Sequence, residues 1–130
     1  MSNMQGKTIF ITGGSRGIGR AIALKAAQAG ANVVIAAKTE VETAKLTGTI
    51  YSVAEEIDAA GGKALPILLD VRDEQQIHAA MQQAARNFGG IDVLINNAGA
   101  IALTGVEATS LKQYDLIQTI NHRATFICAQ

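Results

Sequence analysis

Apolar and polar residues change their spacing several times along this chain. Short apolar or β-branched runs predict four buried strands, at residues 7–12, 31–37, 64–70 and 91–95. Apolar residues at helical spacing predict helices at 17–29, at 50–60, between Asp73 and Gly89, and from Leu111 to the last residue. The polar stretches 38–48 and 96–109 have neither spacing and are predicted to be loops. Strand and helix therefore alternate along the whole chain.

Three of the predicted helices have an apolar face, and two begin with a capping pattern. In the first helix, the residues predicted to lie on a sheet are Ile18, Ile22, Ala26 and Ala29. In the second and third helices, the corresponding residues are Ile50, Val53, Ile57, Ile77, Met81, Ala84 and Phe88. Asp73 with Gln76 predicts a capping box at the third helix, and Ser110 with Gln113 predicts a cap at the fourth.

The order of these elements predicts the fold. Strands that alternate with helices form a mostly parallel sheet with helices on both faces, and right-handed crossovers then give the strand order 3-2-1-4. Pro66 lies in the third strand, which this order places at an edge, where a missing N–H is tolerated. We therefore predict one α/β domain over residues 1–130, a Rossmann-type doubly wound sheet. Ligands of such sheets lie where the strand order reverses, here between strands one and four.

The turn between the first strand and the first helix is rich in glycine. It has the sequence Thr12-Gly13-Gly14-Ser15-Arg16-Gly17-Ile18-Gly19. Gly13 allows a sharp turn out of the strand, while Gly17 and Gly19 leave room for a diphosphate and for close packing of the helix. The helix that follows would direct free N–H groups at the phosphates. A P-loop is not predicted, because no Gly-Lys-Ser/Thr follows.

Composition and charge narrow the classes of function. The chain has 130 residues, 48% hydrophobic and 17% charged, with 11 basic and 11 acidic side chains. No basic excess exists to bind nucleic acid or a membrane surface. Cys128 is the only cysteine, and His78 and His122 lack ligand spacing, so no disulfide or metal site is predicted. No signal region or membrane-spanning stretch is present in the sequence, and we expect a soluble cytoplasmic protein.

Motifs in matching order resemble those of the short-chain dehydrogenase/reductase family. They are the glycine turn at 12–19, Asp70-Val71 after the third strand, Asn96-Asn97-Ala98-Gly99 after the fourth, and Asn121 in the last helix. The resemblance implies a nicotinamide dinucleotide cofactor and a small carbonyl or alcohol substrate. It also implies a homo-oligomer formed through the last helix.

The resemblance implies a role for each motif residue. The diphosphate and the neighbouring ribose would be held by Gly13, Gly14, Ser15, Arg16 and the backbone of Ile18. Asp70 would accept a hydrogen bond from the adenine amino group, and Val71 would lie beside the ring. The stretch Asn97-Ala98-Gly99 would line the nicotinamide-side ribose, and Asn121 would help to position a proton-relay water. Taken alone, Asp70 could be a solvated strand-end residue, and Asn96 and Asn97 could be simple turn formers.

The end of the second strand bears on the choice of cofactor. Sites selective for NAD place a carboxylate there to bind the ribose 2′-hydroxyl. Here Ala37 occupies the position and Lys38 follows it, with Arg16 nearby in the glycine turn. Two cations suit a 2′-phosphate, so we predict NADP(H) in preference to NAD(H). The alternative is that both are ordinary surface charges, and Glu40 and Glu42 would weaken the preference.

The family's proton-transfer centre has no counterpart in this chain. That centre is a tyrosine with a lysine four positions later and a serine nearby, where the lysine lowers the pKa of the tyrosine. The fourth residue after Tyr51 is Glu55, and the fourth after Tyr114 is Gln118. Both tyrosines also precede Asn121. We therefore expect a truncated domain whose serine, tyrosine and lysine lie after Gln130 or do not exist.

Three functional hypotheses remain from the sequence. The first is an NADP(H)-dependent oxidoreductase, represented here by its cofactor-binding half. The second is a dinucleotide-binding module without turnover. The third is an interaction module whose last helix packs against a partner.

Overall fold

The computed structural model of the protein describes residues 3–39 and 48–130. In chain order, the strands and helices are β1 (Thr8–Thr12), α1 (Gly17–Gln28), β2 (Asn32–Ala37), α2 (Ile50–Ala59), β3 (Lys63–Leu68), α3 (Glu74–Phe88), β4 (Val93–Asn96), α4 (Leu111–Gln118) and α5 (Ala124–Ala129). A 3₁₀ turn, Val106–Ala108, precedes α4. Every predicted strand is present within two residues of its predicted bounds. Most of the predicted loop at 38–48 lies outside the described residues.

The four strands form one parallel sheet in the order β3-β2-β1-β4, as predicted. Phe10 in the central strand β1 lies opposite Val34 on one side and Leu94 on the other. Pro66 lies in β3, at the edge of the sheet, opposite Ile35 of β2. The proline therefore takes the edge position where its missing N–H costs least.

Alternate side chains of the strands point to opposite faces of the sheet, and each face has its own core. On the first face, Ile9 and Ile11 of β1 pack with residues of α1 and α2, including the predicted face of α2. On the second face, Phe10 packs with residues of α3 and α5, among them the buried Cys128. Helices therefore cover both faces of the sheet, which is the doubly wound arrangement.

The face of α1 that contacts the sheet differs from the predicted one. The buried residues of the helix are Gly19, Ala23, Ala26 and Ala27. Ile18 is 74% exposed, so the prediction that it packs on the sheet is wrong. The physical reason is size, because the small residue Gly19 lets the helix approach the first strand closely. A Cβ at Gly19 would lie 2.5 Å from the Gly13 carbonyl oxygen.

Side-chain caps begin three of the helices. The Ser110 Oγ accepts from the Gln113 N–H at 3.1 Å, as predicted. The Asp73 Oδ1 accepts from the Gln76 N–H at 3.1 Å, but the Gln76 side chain does not complete the predicted box. Its Oε1 instead accepts from the Asp70 N–H at 2.9 Å. Thr49 and Ser52 form a full capping box at the start of α2. The box was not predicted, because Ser52 takes the position where a glutamate or glutamine is usual.

The predicted final helix is present and contains a π-helical turn. Between α4 and α5 lies a π-helical turn, Thr119–Arg123, which ends with the Ala124 N–H donating to the Thr119 carbonyl, an i→i+5 bond. The chain is therefore helical from Leu111 to Ala129, as predicted, with a π turn in its middle that the sequence pattern did not predict. The π turn contains Asn121.

Candidate functional site

A cleft of about 690 Å³ lies at the carboxyl ends of the strands. It is lined by residues that follow each of the four strands and by two residues of the last helical region. The lining residues are Gly13, Ser15, Arg16, Gly17, Ile18, Ala36, Ala37, Lys38, Thr39, Leu69, Asp70, Val71, Arg72, Asn97, Ala98, Gly99, Ala100, Leu116 and Ile120. Eleven of the thirteen predicted cofactor-binding residues are among them, and Gly14 and Gly19 are not.

The glycines of the first turn have different surroundings. Gly13 has a φ of +68°, and a Cβ there would lie 3.0 Å from the Asn97 Nδ2. Gly14 and Gly19 are buried. A Cβ at Gly14 would lie 3.1 Å from the Ile35 Cγ2, and a Cβ at Gly19 would lie 2.5 Å from the Gly13 carbonyl oxygen. Gly17 has a φ of +58°, and a Cβ there would meet no described heavy atom within 4 Å. Only Gly17 therefore combines a glycine conformation with open space on the cleft.

Two turns that follow neighbouring strands are joined by hydrogen bonds at the switch point. The Thr12 Oγ1 accepts from the N–H groups of Asn97 at 3.1 Å and Ala98 at 3.0 Å. The Asn97 Nδ2 donates to the Gly13 carbonyl oxygen at 2.9 Å. The turns after β1 and β4 are therefore neighbours at the switch point between strands one and four. The role of Thr12 was not predicted, although a threonine at the end of β1 was the available signal.

The start of α1 faces the cleft without a side-chain cap. Arg16 is the N-cap residue, its backbone is extended, and its side chain makes no capping bond. Gly17 and Ile18, in the first turn, line the cleft. Helix N–H groups of a first turn have no intrahelical acceptor, and they carry the positive end of the helix dipole. This end of the cleft therefore suits an anion.

A second charged feature of the cleft is the pair formed by Asp70 and Arg72. The Arg72 Nε donates to the Asp70 Oδ1 at 2.9 Å, and its Nη2 donates to Oδ2 at 2.5 Å. The Arg72 N–H also donates to Oδ1, at 3.0 Å. These hydrogen bonds, with a smaller effect of the Lys38 charge, lower the pKa of Asp70 to about 2. Arg72 was not predicted as a site residue, and its position two residues after a strand-end aspartate was the only signal.

The charge of the lining is positive. Arg16, Lys38 and Arg72 are its cations, and Asp70 is its one carboxylate among the residues that the structure describes. At the end of β2, Ala37 and Lys38 line the cleft. Glu40 and Glu42, which were expected to weaken the effect of Lys38, lie outside the described residues.

Asn121 is not part of the cleft lining, but it holds a residue that is. Its Oδ1 accepts from the Ala100 N–H and its Nδ2 donates to the Ala100 carbonyl oxygen, both at 2.8 Å. The Thr125 Oγ1 donates to the Asn121 carbonyl oxygen at 3.1 Å. The side chain of Asn121 thus joins the π turn to the loop after β4.

The described parts of the chain contain no metal site and no tyrosine in the cleft. No group of three or more histidine, cysteine, aspartate or glutamate side chains there could hold a metal ion. Tyr51 and Tyr114 are 50% and 54% exposed and do not line the cleft. No helix in the described residues has both the length and the apolar character needed to cross a membrane.

Known proteins similar to this chain are named as dehydrogenases or dehydrogenase-like proteins. A family model described as short chain dehydrogenase matches residues 7–130. Hydroxysteroid dehydrogenase-like protein 2 of Homo sapiens is 59% identical over 127 residues, which cover 98% of this chain and 30% of that protein. The protein of the same name from Danio rerio is 62% identical over 127 residues, 98% of this chain and 31% of that protein. The chain therefore spans less than a third of the length of these curated relatives.

Solved structures share the fold. A short chain dehydrogenase of Mycobacterium thermoresistibile has a TM-score of 0.95 and 49% identity, covering 98% of this chain and 46% of that one. A short-chain type dehydrogenase/reductase of Mycobacterium marinum has a TM-score of 0.88 and 37% identity, covering 98% of this chain and 49% of that one. The chain spans about half the length of each of these structures.

Proposed function

We propose, because the chain belongs to the short-chain dehydrogenase family, that residues 1–130 form a single NADP(H)-binding domain of an oxidoreductase. The whole protein would interconvert small carbonyl and alcohol compounds. The observation that carries the choice of NADP(H) is the charge of the cleft, where three cations accompany one carboxylate. That carboxylate, Asp70, is already paired with Arg72.

The residues of the cleft fit a dinucleotide. Open space at Gly17 and the uncapped first turn of α1 suit the two bridging phosphates. The strand order places Lys38 and Asp70 to one side of that turn, and Asn97 to Gly99 on the other. In this arrangement the adenosine end would lie over β2 and β3, and the nicotinamide end over β4.

Individual residues would then have the following roles. Gly13, Gly14, Ser15, Arg16 and Ile18 would hold the diphosphate and its ribose, with Gly19 allowing close packing of α1. Lys38 and Arg16 would bind the 2′-phosphate, because an aliphatic residue replaces the carboxylate that binds a free 2′-hydroxyl. Asp70 would accept from the adenine amino group, and Val71 would lie beside the ring. Asn97, Ala98 and Gly99 would line the second ribose.

When bound, NADP(H) would supply or accept the hydride of the reaction. Asn121, which does not itself line the cleft, would act as a supporting residue for the proton-relay water through Ala100, whose backbone its side chain holds at the cleft. Neither tyrosine of this chain lines the cleft. We therefore assign nucleotide binding, rather than the proton transfer, to residues 1–130.

A dinucleotide-binding module without turnover is the second candidate. The two tyrosines favour it for this chain, because neither is followed by a lysine at the fourth position. Association through the last helical region, which would make a homo-oligomer, is compatible with either candidate. The support is that Tyr114, Leu116 and Phe126 are exposed there.

The proposal is tested by titrating the folded chain with NADPH and NADH, following nucleotide fluorescence and the melting temperature. We expect both nucleotides to bind, NADPH about tenfold more tightly, because each additional charge-assisted contact to phosphate contributes about 1.5–3 kcal/mol. Carbonyl reduction is measured in parallel. Binding without reduction supports the module, whereas reduction by this chain alone contradicts the assignment of proton transfer to other residues. A folded chain that binds neither nucleotide refutes both candidates.

A further inference from the structure

The carboxylate of Asp70 creates an electrostatic problem for the proposed site. It lies in the same cleft as Lys38, and the Lys38 charge contributes to the lowered pKa of Asp70. A free carboxylate there would repel a 2′-phosphate and would attract the ammonium group of Lys38. A site that binds an additional phosphate therefore needs a means of neutralising Asp70.

Arg72 neutralises Asp70 with its planar guanidinium. Both carboxylate oxygens receive N–H groups from the arginine side chain, and one of them also receives the Arg72 backbone N–H. Forked pairs of this kind are the strongest geometry for arginine and a carboxylate. The backbone of Asp70 is held separately, because the Gln76 Oε1 at the start of α3 accepts its N–H.

Lys38 is left without the partner that Asp70 would offer. Within residues 3–39 and 48–130, Lys38 forms no ion pair with a carboxylate, although it lines the same cleft as Asp70. The side chain of Lys38 is exposed. No described carboxylate therefore competes for this amino group with an anion that enters the cleft.

We propose that Arg72 is a positioning residue for cofactor selectivity, which pairs with Asp70 and so leaves Lys38 to bind the 2′-phosphate. This inference rests on the proposed NADP(H) site. Arg72 acts indirectly, through the Asp70 carboxylate, and does not contact the reacting atoms. The selectivity for NADPH over NADH therefore depends on the pairing of Arg72 with Asp70.

The test measures dissociation constants for NADPH and NADH with the wild-type chain, Arg72→Met, Arg72→Lys and the double variant Asp70→Asn/Arg72→Met. We expect Arg72→Met to lower the NADPH preference about tenfold, because the bare carboxylate then repels the phosphate and competes for Lys38. Arg72→Lys should retain part of the preference. The double variant should recover most of it, since no carboxylate remains to neutralise.

The ratio of the two constants separates this role from a structural one. Both nucleotides are measured on the same sample, so a partly unfolded variant changes both constants and leaves their ratio unchanged. Arg86→Met, in the last turn of α3, removes a cation outside the cleft and should not alter the ratio. An unchanged ratio in Arg72→Met, with the wild type preferring NADPH, overturns the inference alone. If the double variant does not recover the NADPH preference, Arg72 contacts the phosphate directly, and the inference is also overturned.

A wild-type chain with no preference for NADPH gives a different result. The proposed cofactor choice then fails, and the role of Arg72 fails with it. The wild-type measurement therefore distinguishes the failure of the proposed function from the failure of this inference.

Discussion

The side-chain amide of Asn97 donates to the carbonyl oxygen of Gly13 at 2.9 Å, although 84 positions separate the two residues. The bond joins the turn after β1 to the turn after β4. Because β1 and β4 are neighbours in the sheet, the contact depends on their pairing. The two turns that bound the centre of the cleft are therefore fixed relative to each other.

Removal of this contact should weaken the fold. We expect Asn97→Ala to lower the free energy of unfolding by about 1–2 kcal/mol, because the Gly13 carbonyl loses its side-chain donor and the turn loses a hydrogen bond. Urea denaturation followed by circular dichroism gives the measurement. Asn96→Ala is the matched control, since the neighbouring Asn96 is exposed and should cost less than about 0.5 kcal/mol. Equal losses in both variants would contradict the importance of the contact.

A side chain at Gly17 should weaken NADPH binding more than it lowers the stability of the fold. An alanine there adds a Cβ to the open side of the turn, at a φ of +58°, and should cost about 1 kcal/mol of stability. The same strain applies to Gly61→Ala, where φ is +95° and no described heavy atom lies within 4 Å. Gly61 does not line the cleft.

Comparison of the two alanine variants isolates the effect on the ligand. We expect Gly17→Ala to weaken NADPH binding about tenfold or more, because the added methyl group occupies space beside the phosphates. Gly61→Ala should change the melting temperature similarly and leave the dissociation constant unchanged. If NADPH bound Gly17→Ala as tightly as the wild type, the phosphates would lie elsewhere.

The charge at Lys38 should set the cofactor preference. Lys38→Asp places a carboxylate at the end of β2, where it can bind the 2′-hydroxyl of NADH and repel the phosphate of NADPH. We expect the ratio of NADPH to NADH affinity to fall at least about tenfold. Lys112→Asp makes the same charge change in the first turn of α4, outside the cleft, and serves as the control. A ratio that Lys38→Asp leaves unchanged would exclude Lys38 from phosphate binding.

Acid should remove the stabilisation that Asp70 contributes. Its pKa is lowered from 3.8 to about 2 in the folded chain, first of all by hydrogen bonds from Arg72, so the folded state binds this proton less readily than the unfolded state. The contribution is therefore complete above about pH 5 and is lost as the pH falls to about 2. Solvent screens this partly exposed pair, which limits the effect to about 1 kcal/mol.

The variant Asp70→Asn allows that contribution to be measured. At pH 6 the variant should be less stable than the wild type, and the difference in unfolding free energy should shrink as the pH approaches 2. Urea denaturation at several pH values provides the curve, with the surface substitution Asp115→Asn as a control. A difference that stays constant over this pH range would show that the carboxylate charge contributes nothing.

Much of the fold followed from spacing in the sequence, and the reasons are physical. Strands and helices bury residues at different periods, and right-handed crossovers leave few strand orders, so β3-β2-β1-β4 could be predicted together with the edge position of Pro66. The rotation of α1 could not be predicted from the period alone. Ile18 fits the apolar stripe, but close packing is limited by size, and Gly19 takes the inward position.

The details of the site depend on contacts that local patterns do not encode. The π turn at Asn121 accompanies the two hydrogen bonds between this residue and Ala100, which lies 21 positions earlier. The Gln76 side chain was expected at the cap of α3, yet it binds the Asp70 N–H instead. Arg72 was not predicted as a site residue, and the structure pairs it with Asp70. The contact of Asn121 is long-range, whereas the other two depend on the conformation of the turn between β3 and α3.

Thr12 indicates how few amino acids one position can accept. Its hydroxyl receives two backbone N–H groups from the turn after β4, while its β-branched shape suits the end of the buried strand β1. Valine would keep the shape but leave both N–H groups without their acceptor, and serine would keep the oxygen but give up the methyl group. Random mutagenesis at codon 12 should therefore return threonine far above all other residues, even under selection for folding alone.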